Sequence, residues 1–217
     1  GGQEAYIAAG DRTGAFTDEP FVQAYQYIAD LVEMGAFQEG FLGTGYADAS
    51  ALLPRGEAAM QLMGTWDPPT GLDSCDCEGL GDDLGWETFP AIEGGLGNPT
   101  DVFGGGDGFA IGANAPDEAI ELLQYITSPE VQAAAREAIG ILPTIDEAPE
   151  IVGDDPYAQE WLAALEQATV IQSFLDQFYP PALGEAVNDT VETVFAGAAT
   201  PEEAAAALED VAAFELD

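Results

Sequence analysis

The chain has 217 residues with 47% hydrophobic content, which is typical of a globular protein with a substantial core. Its 41 acidic residues stand against three arginines, with no lysine and no histidine, so the net charge is -38. A surface of this sign repels the phosphate backbone of nucleic acids, so no nucleic-acid partner is expected, and it also repels anionic membrane surfaces. The acids are dispersed rather than collected in one tail, and a dispersed excess indicates adaptation to high salt, which screens self-repulsion.

Six helices are predicted from apolar residues at helical spacing between capping and stop signals. The first begins at Thr17 or Asp18 and ends at Gly35. "APDEAIELLQYI" gives the second, and "SPEVQAAAREAIG", with Ser128 as its cap, gives the third. The remaining three predicted helices are "PYAQEWLAALEQA", "PPALGEAVNDTVETVFAG" and "TPEEAAAALEDVAAF". The last of them begins with a capping box at Thr200.

Three short apolar runs predict strands, at Ala58–Met63, Leu84–Phe89 and Gly108–Ala113. The segment 67–83 between the first two is rich in glycine, proline and acids, so we expect a loop in which two prolines stop regular structure. The fold class is therefore α/β and helix-rich, with too few strands for a complete sheet. The chain begins "GGQEAY" without methionine, and we expect missing residues upstream.

Catalysis is difficult to place in this sequence, because the commonest general bases and Schiff-base residues are absent. Paired carboxylates could serve a glycosidase, yet with 41 acids such pairs arise by chance. The stretch "GGGDG" lacks the lysine of a phosphate loop and leads into a predicted strand, which favours close approach of the backbone to a neighbouring chain or to a ligand. We expect no cofactor. The loop "DSCDCEGLGDD" lacks the spacing of a calcium loop, so calcium is a minor alternative and no metal site is predicted.

Cys75 and Cys77 are the two cysteines, and too few further ligands accompany them for a metal cluster. A disulfide across one intervening residue is tight but possible, and it is the favoured interpretation. Free thiols, or pairing with a cysteine in missing upstream sequence, remain open. "NDT" at Asn188 is a glycosylation sequon, but it falls inside a predicted helix.

Aromatic residues in loops and at strand ends indicate a sugar site, because aromatic faces pack on the apolar faces of a pyranose. Trp66 and Tyr46 are such residues, and Asp67 and Asp107 could accept hydroxyl hydrogen bonds beside them. Trp161 instead falls on an apolar helix stripe, so we expect it in the core. The same group of loop aromatics and acids also includes Trp86, Phe178, Tyr179 and Asp176.

The order of motifs resembles that of the extracellular solute-binding proteins of carbohydrate ABC importers, the maltose-binding-protein-like group (family 1), in its C-terminal half. "FTDEPFVQAYQYIADLVEMGAF", "RGEAAMQLMGTWDP" and "LGWETFPAIEGG" resemble successive family segments, the second being similar to a "G-x-A-A-M-x-x-x-G-x-W" pattern. "GGGDGFAIGANAPDEAIELLQYITSPEVQ", "GILPT" and "FAGAATPEEAAAALEDV" follow in the family's order. The resemblance covers essentially the whole chain.

The resemblance implies a periplasmic-binding-protein-like two-lobed fold of type II, incomplete in this chain, that closes on its ligand without catalysis. It places residues 1–100 in the second lobe, with a ligand-facing strand end. Residues 101–147 return to the first lobe, and residues 148–217 are closing helices that pack on the second.

The resemblance also implies ligand-binding residues. The tryptophan of the family's "G-x-W" segment stacks on a sugar ring, and that position is Trp66 here. The glycine-rich turn that lines the family's cleft corresponds to Gly105, Gly106 and Asp107. A late aromatic commonly contributes, for which Tyr179 is the candidate.

The function that follows is the substrate-binding component of an ABC transporter, which binds a sugar or oligosaccharide outside the cell for import. The expected partners are the saccharide and the membrane subunits of the permease, and the protein is expected to be a monomer without a membrane span. We expect it at the cell surface of a salt-adapted cell, held by a lipid anchor at the missing N-terminus. Two alternatives stay open: a carboxylate-based carbohydrate-active enzyme and a non-catalytic structural module of the cell surface.

Overall fold

The computed structural model describes residues 1–216, which form eleven α-helices and one pair of short strands. The helices, in chain order, are α1 (Gly2–Gly10), α2 (Glu19–Glu33), α3 (Tyr46–Ser50), α4 (Asp67–Cys75), α5 (Glu118–Ile126), α6 (Pro129–Ile139), α7 (Ala148–Val152), α8 (Pro156–Gln167), α9 (Leu175–Phe178), α10 (Pro181–Phe195) and α11 (Pro201–Glu215). The strands are β1 (Val102–Phe103) and β2 (Ile171–Gln172).

All six predicted helices are confirmed, as α2, α5, α6, α8, α10 and α11. The capping box is present: Glu203 N donates to Thr200 Oγ1 at 3.2 Å, and Thr200 N donates to Glu203 Oε2 at 2.9 Å. Ser128 stands at the amino end of α6 as predicted, but its side chain makes no cap hydrogen bond. Caps and stop signals act within one turn, which is why the sequence locates these helix ends well.

The three predicted strands are wrong, because Ala58–Met63, Leu84–Phe89 and Gly108–Ala113 contain no strand. A strand needs a neighbour to take its backbone hydrogen bonds, and within residues 1–216 no neighbour pairs with these segments. The observed strands are instead two residues long and parallel, with Val102 opposite Ile171 and Phe103 opposite Gln172. Runs this short are below what apolar alternation can reveal.

The chain divides into two compact units. The first, which we call unit 1, comprises residues 1–43, 89–105 and the part from Thr169 onwards. Unit 2 comprises Thr44–Thr88 and Gly106–Ala168. These boundaries differ from those of the three segments expected from sequence, whose assignment to lobes stays a prediction. Among residues 1–216, no helix combines the length and apolar character that a membrane crossing requires.

Unit 1 is built on α2, α10 and α11, which pack on one another around two groups of apolar side chains. Phe16 and Leu183 are fully buried in the first group. In the second, the Tyr25 and Thr190 hydroxyl groups lie 2.7 Å apart and join α2 to α10 inside the core. Burial raises the pKa of Tyr25, so the phenol stays protonated and can act as the donor.

A network of charge-assisted hydrogen bonds joins Arg12 and the Phe16 N–H to Glu209 of α11 in unit 1. Arg12 has a positive φ of 65°, and its guanidinium binds both carboxylate oxygens of Glu209, with the shorter distance 2.6 Å to Oε1. The Phe16 N–H donates to Glu209 Oε2 at 2.8 Å. The hydrogen bond from Arg12, with the Phe16 N–H, lowers the pKa of Glu209 despite opposing desolvation. The network ties the segment after α1 to α11.

The change Glu209→Gln is expected to lower the free energy of unfolding at pH 7 by about 2 kcal/mol, because charge-assisted hydrogen bonds are lost. The folded-state pKa of Glu209 is lowered, so its contribution is full above the pKa of the unfolded chain and disappears as pH falls through the folded-state pKa. Chemical unfolding at pH 7 and in acid measures this difference. Asp210→Asn removes the same charge from an exposed neighbour on α11 and serves as the control; equal losses for both variants at pH 7 would contradict the network's role.

Unit 2 holds a smaller core around α7 and α8, in which Val152, Ala158 and Trp161 are buried. The expected core position of Trp161 is confirmed. Arg136 on α6 donates to the Gly140 carbonyl at the end of its own helix and pairs with Asp155, whose side chain caps α8. This arginine therefore joins the end of one helix to the start of another.

Candidate ligand-binding site

Trp66 stands directly before α4, at the end of an irregular segment. Pro68 and Pro69 lie in the first turn of α4, so the prediction that they stop regular structure is wrong. The first four N–H groups of a helix have no partner within it, so prolines there cost no hydrogen bond. The chain thus turns from irregular backbone into helix at the tryptophan.

The Trp66 ring lies against the backbone of Gly64. A Cβ atom placed on Gly64 would overlap the six-membered part of the indole, so only glycine accommodates the ring in this position. The side chain is 39% exposed, which leaves part of the ring open to solvent. The "G-x-W" spacing therefore has a steric cause within this chain: the glycine provides the surface on which the tryptophan rests.

Asp67 points into unit 2 rather than to solvent. The residue is 5% exposed, and its Oδ1 accepts a hydrogen bond from Ser50 Oγ at 2.7 Å. Gly71 of α4 lies so close to α3 that an added Cβ would stand 2.6 Å from the Ser50 carbonyl oxygen. The carboxylate therefore holds α3 on α4 in the structure, and its role as an acceptor for sugar hydroxyl groups stays a prediction.

Three further candidates belong to unit 2. Tyr46 is the first residue of α3 and is exposed. Gly106 and Asp107 are exposed in irregular backbone after β1, and no atom lies within 4 Å of a Cβ built on Gly106. Their exposure makes them accessible to a ligand.

The remaining two candidates belong to unit 1. Tyr179 is buried: its ring meets that of Phe16 edge-on with centroids 5.3 Å apart, and its hydroxyl donates to the Tyr6 carbonyl at 2.8 Å. Burial raises the pKa of Tyr179. The side chain is therefore a core residue in this structure, and its contact with a ligand stays a prediction. Gly105 is exposed and faces Phe174 and Gln177.

A disulfide joins Cys75 to Cys77 at the carboxyl end of α4. The intervening Asp76 has a positive φ of 49°, so the chain reverses there without a glycine. Arg55 donates from Nε and a terminal nitrogen to the Cys75 carbonyl, both at 3.4 Å. Within the described part of the chain, no group of three or more acidic or cysteine side chains is arranged to hold a metal ion.

Comparison with known proteins gives a family and a fold. A family model described as bacterial extracellular solute-binding protein matches residues 1–133. The structure of a chitin oligosaccharide binding protein is similar, with a TM-score of 0.82 and 21% sequence identity over 98% of this chain and 53% of that one. A structure from work on xylan utilization by the thermophilic bacterium Caldanaerobius polysaccharolyticus has a TM-score of 0.77 and 24% identity, over 95% of this chain and 53% of that one.

These similarities confirm the predicted solute-binding-protein fold and its helix-rich character. The chain spans about half the length of the solved structures that it matches. No curated protein sequence matches it. The matched family segment, residues 1–133, includes Gly64 and Trp66 as well as the glycine-rich turn after β1.

Proposed function

Because the chain belongs to the family of bacterial extracellular solute-binding proteins, we propose that it acts as the substrate-binding component of an ABC importer that takes up a sugar or oligosaccharide. The observation that carries the proposal is the family match over residues 1–133. Two saccharide-related solved structures share the fold, one of them named as a chitin oligosaccharide binding protein. The family is extracellular, and the proposed work is done outside the cell.

Trp66 carries the main contact in this proposal. Its ring is held on Gly64 with part of its face exposed, which suits stacking on the apolar face of a pyranose. Exposed Tyr46 and Asp107, with the exposed glycines Gly105 and Gly106, supply further contacts. Asp67 and Tyr179 contribute less directly, since both are buried and hydrogen-bonded inside their own units.

The proposal also covers the partners and the place of work. The membrane subunits of the permease receive the loaded protein, which acts as a monomer attached to the cell surface by a lipid anchor. No catalysis accompanies binding, since a chain without histidine or lysine lacks the commonest general bases and Schiff-base groups. The dispersed excess of acidic residues supports the further proposal that the cell lives in a saline habitat.

A binding and turnover experiment tests this function. Calorimetric titration in molar potassium chloride, with chito- and xylo-oligosaccharides as probes, is expected to give saturable binding with one site. Chromogenic glycosides incubated with the same protein are expected to release no dye. Dye release would favour the carboxylate-based enzyme. Absence of any binding or thermal shift across a broad saccharide panel would favour a structural module.

A further inference from the structure

The carboxyl ends of the two strands meet at one edge of unit 1. Because β1 and β2 are parallel, the chain leaves both on the same side, into Gly104–Gly106 after β1 and into Ser173 and Phe174 after β2. Ligands of α/β proteins bind preferentially outside the carboxyl ends of parallel strands. This edge is therefore a place where ligand contacts are expected on topological grounds.

Three groups converge at this edge. The Phe103 ring is 59% exposed and meets the Phe174 ring edge-on, with centroids 5.2 Å apart and planes at 78°. A Cβ on Gly105 would lie 3.0 Å from the Phe174 ring and 3.2 Å from Gln177 Oε1. The backbone of Gly105 thus passes close to an aromatic ring and to a side-chain amide, and a larger residue there would displace them.

The frame behind these groups is fixed by hydrogen bonds. Thr169 Oγ1 donates to Asp101 Oδ1 at 2.7 Å and accepts from Asn98 Nδ2 at 2.8 Å, which joins the segments preceding the two strands. Gln172 accepts from the Tyr6 hydroxyl and donates to the Ser173 carbonyl at 2.8 Å. An aromatic surface on a frame of this kind can bind with little ordering cost.

We propose that Phe103, Phe174 and Gln177 form a subsite in unit 1 for one pyranose ring of the saccharide. The exposed face of Phe103 packs on the C–H face of the sugar, and Phe174 supports it edge-on from behind. The Gln177 amide can both donate to and accept from sugar hydroxyl groups. The subsite rests on the proposed saccharide-binding function and lies within unit 1.

Two substitutions in the full-length protein test the subsite, with chito- and xylo-oligosaccharides as probes. Phe103→Ala is expected to weaken the best-bound saccharide about tenfold, and Gln177→Ala about fivefold, as typical for one aromatic platform and one neutral hydrogen bond. Phe214→Ala is the matched control, because Phe214 is an 84% exposed phenylalanine of the same unit outside the subsite. Thermal unfolding in the same buffer verifies that all three variants remain folded.

The outcomes separate the subsite from the function on which it rests. Wild-type binding that survives Phe103→Ala and Gln177→Ala unchanged would overturn the subsite and leave the proposed function intact. Wild-type protein that binds no saccharide would overturn the proposed function, and the subsite with it. If Phe103→Ala unfolds the protein, the Gln177→Ala variant decides alone, since the Gln177 side chain is exposed.

Discussion

Replacing Trp66 with alanine is expected to weaken saccharide affinity by at least about thirtyfold, or ~2 kcal/mol, as for a central aromatic contact in a binding site. The unfolding midpoint is expected to change little, since the ring rests on the surface of Gly64 and is 39% exposed. Calorimetric titration beside thermal unfolding measures both quantities. Tyr125→Ala is the control, because Tyr125 is an exposed aromatic residue of the same unit, on α5, outside the candidate site. Equal losses for the two variants would contradict the special role of Trp66.

Gly64 provides a second test that leaves the tryptophan in place. Gly64→Ala would force the indole off the backbone, so the variant is expected to lose affinity although every ligand-contacting side chain remains. Gly85→Ala is the control, because a Cβ there meets no atom within 4 Å. Normal binding by Gly64→Ala would mean that the ring position seen against Gly64 does not matter for the ligand.

The sequence predicts helices well where local chemistry decides them. The capping box at Thr200 and the left-handed Gly140 after α6 are each set by residues within one turn. It fails at α4, whose amino acids "DPPTGLDSC" include two prolines and a glycine. There the helix depends on packing against α3, where Gly71 and Asp67 meet Ser50, and such contacts are not visible in a local pattern.

The strand predictions fail for a different reason. Ala58–Met63 has the apolar run of a buried strand, yet Met60 is 88% exposed in irregular backbone. An apolar run indicates which side chains of a segment could be buried. It does not indicate whether a second segment is present to pair with it as a strand. The observed pair joins residues 102–103 to residues 171–172, a contact between distant parts of the chain that no local window contains.

The same distinction between local patterns and distant contacts applies to the residues of the candidate site. The position of Trp66 follows from a motif, and the structure adds its steric cause at Gly64. The burial of Asp67 and Tyr179 could not be predicted, because their partners Ser50 and Tyr6 lie 17 and 173 residues away. Phe103 and Gln177 were also missed, because the contact of Phe103 with Phe174 and the approach of Gly105 to Gln177 join distant parts of the chain beside the paired strands β1 and β2.

The three arginines explain why we expect a strong dependence on salt. Arg12 pairs with Glu209, Arg136 pairs with Asp155, and Arg55 binds the Cys75 carbonyl, so each holds segments of the chain together. Three cations offset only a small part of the 41 acids, so the net charge stays at -38. The 41 acids therefore repel one another in dilute buffer, and this repulsion favours the unfolded chain, in which the charges lie farther apart.

Transfer from about 0.1 M to about 1 M potassium chloride shortens the Debye length from about 10 Å to about 3 Å. We expect the free energy of unfolding to rise by roughly 5 kcal/mol and the melting temperature by about 10 °C or more.

Sucrose is the control, because it favours compact states by exclusion without screening charge. Near pH 4, where many carboxylates are protonated, the rise with chloride is expected to be smaller than at pH 7. A melting temperature that ignores chloride at pH 7, or that rises equally at both pH values, would mean that surface charge does not govern this fold's stability.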